Sequence, residues 1–261
     1  MGYMERFSLK GKKCVVSGAA TPGGIGIVIA HALAEAGGDI IICDLNKGHL
    51  EQNAKSIAAL GVEAYWALCD ITDPESVKTF YEFVIDKFGR IDVLMNNAGA
   101  FQDTAAEDMD LNDFKRVIDV NLTGNFIMSQ TFGRQMIRQG SGGSIIFTSS
   151  KSGFTYDIPQ KHLAYNTSKA GINMMAKGLA VEWAEYGIRV NCIAPGNIAT
   201  DENQKKIDEN HPYIEAWTNL IPMRRIGTTD ELGNLAIYLA SDGSSYVTGE
   251  TILVDGGYCA I

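Results

Sequence analysis

Tyr165 and Lys169 stand four residues apart in a stretch of helical character, Leu163-Ala164-Tyr165-Asn166-Thr167-Ser168-Lys169, so the phenol and the ammonium share one helix face about one turn apart. That is an acid–base arrangement. A free tyrosine titrates near pH 10, too high for a general base, and a nearby cation favours the phenolate. A phenol drawn toward its working range can take the proton of an alcohol or return one to a carbonyl oxygen. Upstream, Ser149, Ser150 and Ser152 carry hydroxyls that could hold such an oxygen, Ser150 being 15 residues before Tyr165. A Tyr-x-x-x-Lys pair is common on helix surfaces, so its surroundings decide what it means.

One such surrounding feature is the turn Ser17-Gly18-Ala19-Ala20-Thr21-Pro22-Gly23-Gly24-Ile25-Gly26, which follows the first apolar run and opens a helix. Glycines there let backbone approach a pyrophosphate, and the helix start presents free N–H groups and a positive dipole end to the phosphates. Asp44 ends the second apolar run, 18 residues beyond Gly26. A carboxylate at that place can accept hydrogen bonds from both adenosine ribose hydroxyls and would repel a 2′-phosphate. The expectation is a dinucleotide site favouring NAD(H) over NADP(H), with Lys47 as a nearby cation that softens the discrimination. A positive nicotinamide ring would act with Lys169 in favouring the Tyr165 phenolate.

Short apolar runs recur along the chain, each followed by a stretch of helical period: KKCVVSG, DIIICDL, EAYWALCD, RIDVLMNN, GSIIFTSS, IRVNCIA and TILVDGG. Seven strands alternating with helices imply a parallel sheet, and continuous rather than alternating apolar strands suit a sheet covered on both faces. The fold expected is α/β: a doubly wound seven-stranded parallel sheet with helices on both faces, the Rossmann arrangement, as one dinucleotide-binding catalytic domain over 1–261. Helices are expected at about 25–36, 47–60, 74–88, 111–139, 163–186 and 229–241. The span 197–228 breaks the rhythm, is rich in Asp, Glu, Asn and Lys, and carries Pro212 and Pro222. Helical spacing of Tyr213, Ile214, Trp217, Leu220 and Ile221 points there to a small substrate lid.

The chain has 261 residues, 46% of them hydrophobic and 20% charged, as an ordinary globular protein has. A net charge of −9 excludes nucleic acid or an anionic membrane as the main partner, since a polyanion would be repelled over most of the surface. Small ligands remain. Five cysteines at 14, 43, 69, 192 and 259 form no CxxC pair, the first four lying in apolar runs as reduced core thiols. Histidines 31, 49, 162 and 211 are scattered, so no metal is expected. The start, MGYMERFSLKGKK, lacks the apolar region of a signal peptide, and no stretch of about 18 apolar residues occurs. Met1-Gly2 opens like a myristoylation signal, but Arg6 stands where Ser or Thr is required. A cytoplasmic protein follows.

Taken in order, the glycine turn, Asn96-Asn97-Ala98-Gly99 after the fourth strand, Asn121, Ser150, Tyr165 with Lys169, Pro195-Gly196 and the closing Val254-Asp255-Gly256-Gly257 resemble the signature of the short-chain dehydrogenase/reductase family. The resemblance covers essentially the whole chain. It implies hydride transfer between nicotinamide and an alcohol or ketone carbon, with Asn121, Ser150, Tyr165 and Lys169 as the catalytic set. In that set Tyr165 is general acid/base, Lys169 also holds the nicotinamide ribose, and Asn121 keeps a water near the lysine. Ser150 is preferred over Ser149 for holding the substrate oxygen because the family serine stands three residues before a glycine, here Gly153.

For the cofactor the resemblance implies Gly18, Thr21, Gly24, Ile25 and Gly26 at the phosphates, Asp44 and Leu45 at the ribose, and Asp70 and Ile71 at the adenine. Asn97, Ala98 and Gly99 brace the sheet beside it, while Pro195, Gly196, Ile198 and Thr200 surround the carboxamide and diphosphate. Two departures from the common pattern stand out: Gly18 and Gly24 are six apart where four is usual, and the Ser150–Tyr165 gap is longer by two. With Ser152-Gly153 and Pro159-Gln160 they resemble the polyol dehydrogenase/ketose reductase branch of mannitol, sorbose and xylulose enzymes.

A polyol site needs several hydrogen-bonding groups, and Ser152, Gln160 and Asn197, beside Ser150 and Tyr165, are the substrate contacts expected; Lys161, His162, Tyr156 and Asp157 could add others. Tyr213, Ile214 and Trp217 point instead toward a bulky apolar alcohol such as a steroid. A non-catalytic NAD-binding regulatory protein is the third reading, disfavoured because Tyr165, Lys169 and Ser150 are all present. A reductase acting on an acidic acyl carrier would need basic groups that this acidic chain lacks. Phe126, Met128, Phe132, Met136, Ile172, Met174, Met175 and Leu179 make two long helices apolar over much of their surface, which points to a homo-oligomer, and the family resemblance to a tetramer.

Overall fold

All seven apolar runs become strands of one parallel sheet in the computed structural model, which describes residues 2–261. Met1, where the N-terminal reading begins, lies outside the described residues. The strands are β1 (Lys13–Ser17), β2 (Asp39–Asp44), β3 (Ala64–Leu68), β4 (Val93–Asn96), β5 (Gly143–Thr148), β6 (Ile188–Pro195) and β9 (Thr251–Val254), in the order β3-β2-β1-β4-β5-β6-β9. Two short strands, β7 (Ile198–Ala199) and β8 (Gly227–Thr228), pair with each other outside the sheet.

Burial on both faces explains the continuous apolar runs. Successive strand side chains point to opposite faces, so Cys14, Val16, Ile40, Ile42, Val93 and Met95 enter one core and Val15, Ile41, Cys43, Leu94, Ile145 and Phe147 the other. Helices α1 (Ile25–Glu35), α2 (Lys47–Ala58) and α9 (Asp230–Ala240) cover the first face through Leu33, Leu50, Ile57, Leu232 and Leu239. Helices α3 (Pro74–Phe88), α5 (Asn125–Gln139) and α6 (Leu163–Trp183) cover the second through Phe80, Val84, Phe132, Ile172 and Leu179. Strand order runs outward in opposite directions from the β1–β4 pair, which opens a crevice at the strand C-termini, where ligands of such sheets bind.

Two sequence expectations change. The single helix expected over 111–139 is broken: α4 (Leu111–Ile118) passes through a π-helical turn, Asp119–Gly124, before α5 begins. Asn125 Nδ2 donates to the main-chain oxygen of Asn121 at 2.8 Å, and a Cβ at Gly124 would stand 2.8 Å from Ile71, so the widened turn is held by a side chain and by close packing. Apolar periodicity continues through such a turn and does not report it. The second change concerns the apolar helices: Met128, Phe132, Met136, Ile172 and Leu179 are consumed by this chain's own core, leaving Phe126, Met174 and Val181 exposed.

The excursion at 197–228 is ordered into α7 (Asp201–Asp208) and α8 (Pro212–Leu220) between β7 and β8. Thr200 caps α7, Pro212 occupies the first turn of α8, and Trp217 and Ile221 are buried. All five cysteines are free, and burial pushes the Cys192 thiol up to about 12. Among the described residues no helix is long and apolar enough to cross a membrane.

Candidate active site

The glycine turn sits at the crevice and is tied to the β4 end. Ser17 Oγ accepts from the N–H groups of Asn97 and Ala98 at 3.1 and 3.3 Å, and Asn97 Nδ2 donates to the Gly18 oxygen at 2.8 Å. Gly18 has φ +68°, and a Cβ there would lie 2.6 Å from Ala98 Cα, so both conformation and contact require glycine. A Cβ on Gly26 would collide with the Gly18 carbonyl oxygen. Gly26→Ala is therefore expected to destabilise the protein by about 1–3 kcal/mol and weaken dinucleotide binding, because the backbone must shift. An unchanged denaturation midpoint in urea would contradict that close packing. The sequence reading missed Asn53, whose buried side chain on α2 donates to the oxygens of Ala19 and Ala20 at 2.8 and 3.0 Å. A lone amide on the apolar stripe of α2 was its only trace.

On the β2–β4 side of the turn, Gly18, Thr21, Asp44, Leu45, Asp70, Ile71 and Asn97 to Gly99 line one cavity of about 280 Å³. The Asp70 carboxylate accepts from Thr72 N at 2.9 Å and Thr72 Oγ1 at 2.6 Å. On the other side a second cavity, about 250 Å³, is lined by Ile25, Ser150, Ser152, Gln160, Tyr165, Pro195 to Ile198 and Thr200. Phe101, Asp103, Thr148, Ser149, Lys151, Asp157, His162, Asn203, Lys206, Tyr213 and Trp217 complete its wall. All the expected cofactor residues except Gly24, Gly26 and Lys169 thus line two cavities flanking one glycine turn, and the shape and donor set fit a dinucleotide laid across it.

In the second cavity the structure separates the serines. Ser149 Oγ turns away to donate to Asn173 Oδ1, whereas Ser150 hydrogen-bonds toward Tyr165 and opposes the rise in its pKa. Lys169 Nζ, 5.4 Å from the centre of the Tyr165 ring, donates to the Thr148 oxygen at 2.7 Å. Thr148 Oγ1 in turn donates to Asn97 Oδ1 at 2.9 Å, linking the lysine to the glycine turn.

In the bare site burial dominates both members of the pair. Burial pushes the phenol up to about 12 and the Lys169 ammonium down to about 8. The bare site therefore holds Tyr165 protonated at neutral pH, and forming the phenolate needs a further positive charge.

Asn121 is buried beside this pair. Its Oδ1 accepts from Ala100 N at 2.7 Å, and its Nδ2 donates to the Ala100 oxygen at 2.8 Å and Ser168 Oγ at 2.9 Å. The side chain is fully engaged in bracing the Gly99–Ala100 segment against α6.

Beneath Ser150 lies a network that spacing did not reveal. Ser150 Oγ donates to Ser152 Oγ at 2.9 Å, Ser152 Oγ donates to Asp157, and Asp157 is ion-paired with the buried Lys151. The Lys151 ammonium also lies 4.0 Å from the centre of the Tyr258 ring. Ser152 is thus held by Asp157 below the reacting position. Three buried polar atoms in the residues of the wall find no hydrogen-bond partner among the described residues: Gln160 Oε1, Asn197 Nδ2 and Trp217 Nε1.

The family model described as enoyl-(acyl carrier protein) reductase matches residues 18–259. A crystal structure of a short-chain type dehydrogenase/reductase from Mycobacterium marinum is 40% identical, covers 99% of both chains and superposes with a TM-score of 0.92. The chain belongs to the short-chain dehydrogenase/reductase family. It is an oxidoreductase of that family, as its relatives are. A sorbose reductase of Schizosaccharomyces pombe is 40% identical over 257 residues, covering 97% of this chain and 98% of the relative. An NADP-dependent mannitol dehydrogenase of Hypocrea jecorina is 39% identical over 257 residues, covering 98% and 95%.

That last relative overturns the expectation that this short-chain dehydrogenase/reductase favours NAD(H) over NADP(H), since a full-length homologue is named for NADP. Asp44 also has a structural role, which its position in the sequence does not distinguish from a ribose contact. Its Oδ2 accepts from Ala20 N at 3.0 Å and its Oδ1 from Leu45 N at 2.7 Å, so both oxygens already serve the turn, as a strand-end aspartate commonly does.

Proposed function

We propose that this enzyme interconverts a polyol and a ketose, with Tyr165 as general acid/base. The observation that carries the reading is that Ser150 and Tyr165, the latter beside Lys169, share a cavity with the polar side chains of Gln160, Asn197 and Asn203. Support comes from full-length relatives named for sorbose and mannitol. A bound nicotinamide dinucleotide would supply the hydride acceptor or donor and, when oxidised, a positive charge. Gly18, Thr21, Gly24, Ile25 and Gly26 would hold its phosphates, Asp44, Leu45, Asp70 and Ile71 its adenosine, and Lys169, Pro195, Gly196, Ile198 and Thr200 its nicotinamide end.

Ser150 orients the substrate oxygen toward the Tyr165 hydroxyl. In reduction that phenol, protonated at neutral pH, gives its proton to the forming alkoxide; in oxidation the phenolate takes the alcohol proton. Lys169 favours the phenolate while it keeps its own charge. Asn121 positions Ala100 and the start of α6 around it. Helices α7 and α8 act as the lid of a single catalytic domain spanning 1–261. Exposed Phe126, Met174 and Val181 on α5 and α6 support a homotetramer, and the composition suits the cytoplasm.

The test follows the reduced-nicotinamide absorbance band with hexitols, pentitols, ketoses, hydroxysteroids and simple secondary alcohols, each with NAD(H) and NADP(H). The highest kcat/KM is expected for a polyol or ketose. Turnover confined to steroids would transfer the reading to the aromatic residues of α8.

A further inference from the structure

We propose that Trp217 recognises a substrate hydroxyl through its indole N–H and that, with Asn197 and Gln160, it sets the enzyme's preference for polyhydroxylated over hydrocarbon alcohols. The assignment rests on the polyol reading above and adds to it the groups that select the substrate. All three residues belong to the wall that also carries Ser150 and Tyr165, yet they come from three separate parts of the fold: the β5–α6 connection, the β6–β7 corner and α8. Gln160 and Trp217 are 7% and 6% exposed, and each of the three has a buried polar atom with no partner among the described residues.

Buried polar atoms are nearly always paired, and unpaired ones gather where a ligand is to supply the missing partner. Among the described residues six such atoms occur, and three of them, Gln160 Oε1, Asn197 Nδ2 and Trp217 Nε1, belong to residues in the wall of one cavity. Their polarity is also informative. Asn197 Nδ2 and Trp217 Nε1 are donors and Gln160 Oε1 is an acceptor. A chain of hydroxyls meets both demands because each hydroxyl donates once and accepts twice; a steroid skeleton meets neither and would leave all three groups sealed against hydrocarbon.

Trp217 is the residue whose meaning changes. Its spacing with Tyr213 on a helix suggests an apolar lid. In the structure its ring packs tilted on Tyr213, centroids 6.0 Å apart, which accounts for the hydrocarbon part of the side chain and leaves the N–H unsatisfied. The three atoms are shielded from solvent, so amide rotation at Gln160 and Asn197 and a small tilt of α8 would bring them onto a substrate. Lid closure on a polyol would then be coupled to forming these bonds, and a simple alcohol would close the lid less well.

The experiment measures kcat/KM for the best hexitol and for a simple secondary alcohol in the full-length enzyme and in Trp217→Phe, which keeps a ring and removes the N–H. The hexitol-to-simple-alcohol ratio is expected to fall about tenfold or more. Single-deoxy hexitols identify the hydroxyl concerned: the wild type should lose about the same factor on one of them, and Trp217→Phe should show little further loss there. Should Trp217→Phe fail to fold, Asn197→Leu and Gln160→Leu are read by the same ratio. A wild type with no preference for the hexitol overturns the polyol reading together with this assignment. A wild type with the preference and variants that retain it overturn the assignment alone.

Discussion

Tyr165→Phe is expected to lower kcat by about 10²–10⁴-fold in both directions while leaving dinucleotide affinity close to that of the parent. The substitution removes one oxygen and keeps the ring. That ring packs edge-on against His162, centroids 6.0 Å apart, so the wall of the cavity is preserved. What disappears is the hydroxyl set near Ser150 that is expected to carry a proton to or from the substrate oxygen. Because burial holds the phenol up to about 12, the parent enzyme should reduce ketones across neutral pH without a titration of Tyr165 in the reductive limb. Stopped-flow turnover and a fluorescence titration with reduced dinucleotide separate chemistry from binding. Turnover within about tenfold of the parent would remove Tyr165 from the proton transfer.

Lys169→Met should lower the oxidative rate by about 10²-fold and move the rising limb of its pH profile to higher pH. Reduction should keep its pH profile and lose rate mainly through weaker cofactor binding, since it uses the phenol already protonated. The sign of the stability effect makes this variant informative. Burial lowers the Lys169 pKa from 10.5 to about 8, so the folded protein disfavours its charge. That penalty is fully present below about pH 8 and disappears as pH rises to 10.5, the unfolded value. Replacing the ammonium with a methionine relieves the penalty at neutral pH, and Lys169→Met should be no less stable than the parent by urea denaturation there. Loss of activity then reflects lost charge at Tyr165 rather than unfolding. An oxidative pH profile that does not move would show that the lysine acts only on the cofactor.

Much of the candidate site was legible because its residues sit in short, contiguous motifs. The glycine turn, the Asn96–Gly99 corner, Ser150 and the Tyr165–Lys169 pair each lie at a strand end or in one helix turn, where neighbours in sequence are neighbours in space. Asp44 illustrates the opposite case. Its place at the end of β2 was right, yet both its oxygens are bound to backbone N–H groups, one of them Ala20 in the β1–α1 turn, and no spacing rule reports that. The Lys151–Asp157 pair was equally hidden: the two are six residues apart in a polar loop, with no spacing that announces a pair, but the fold buries both.

The α/β class, the seven strands, the place of the glycine turn and the setting of Tyr165 and Lys169 one turn apart on a helix follow from sequence alone, because apolar period, turn glycines and helical spacing are local properties that the backbone must obey. Tertiary structure decided the rest. It inserted the π-helical turn that sets Asn121 beside Lys169 and spent most of the apolar face of α5 and α6 on the chain's own core. It also buried Tyr165 and Lys169 deeply enough to push their pKa values apart, to about 12 and about 8. Each of those outcomes depends on desolvation and on partners from distant segments, quantities that exist only once the chain has folded.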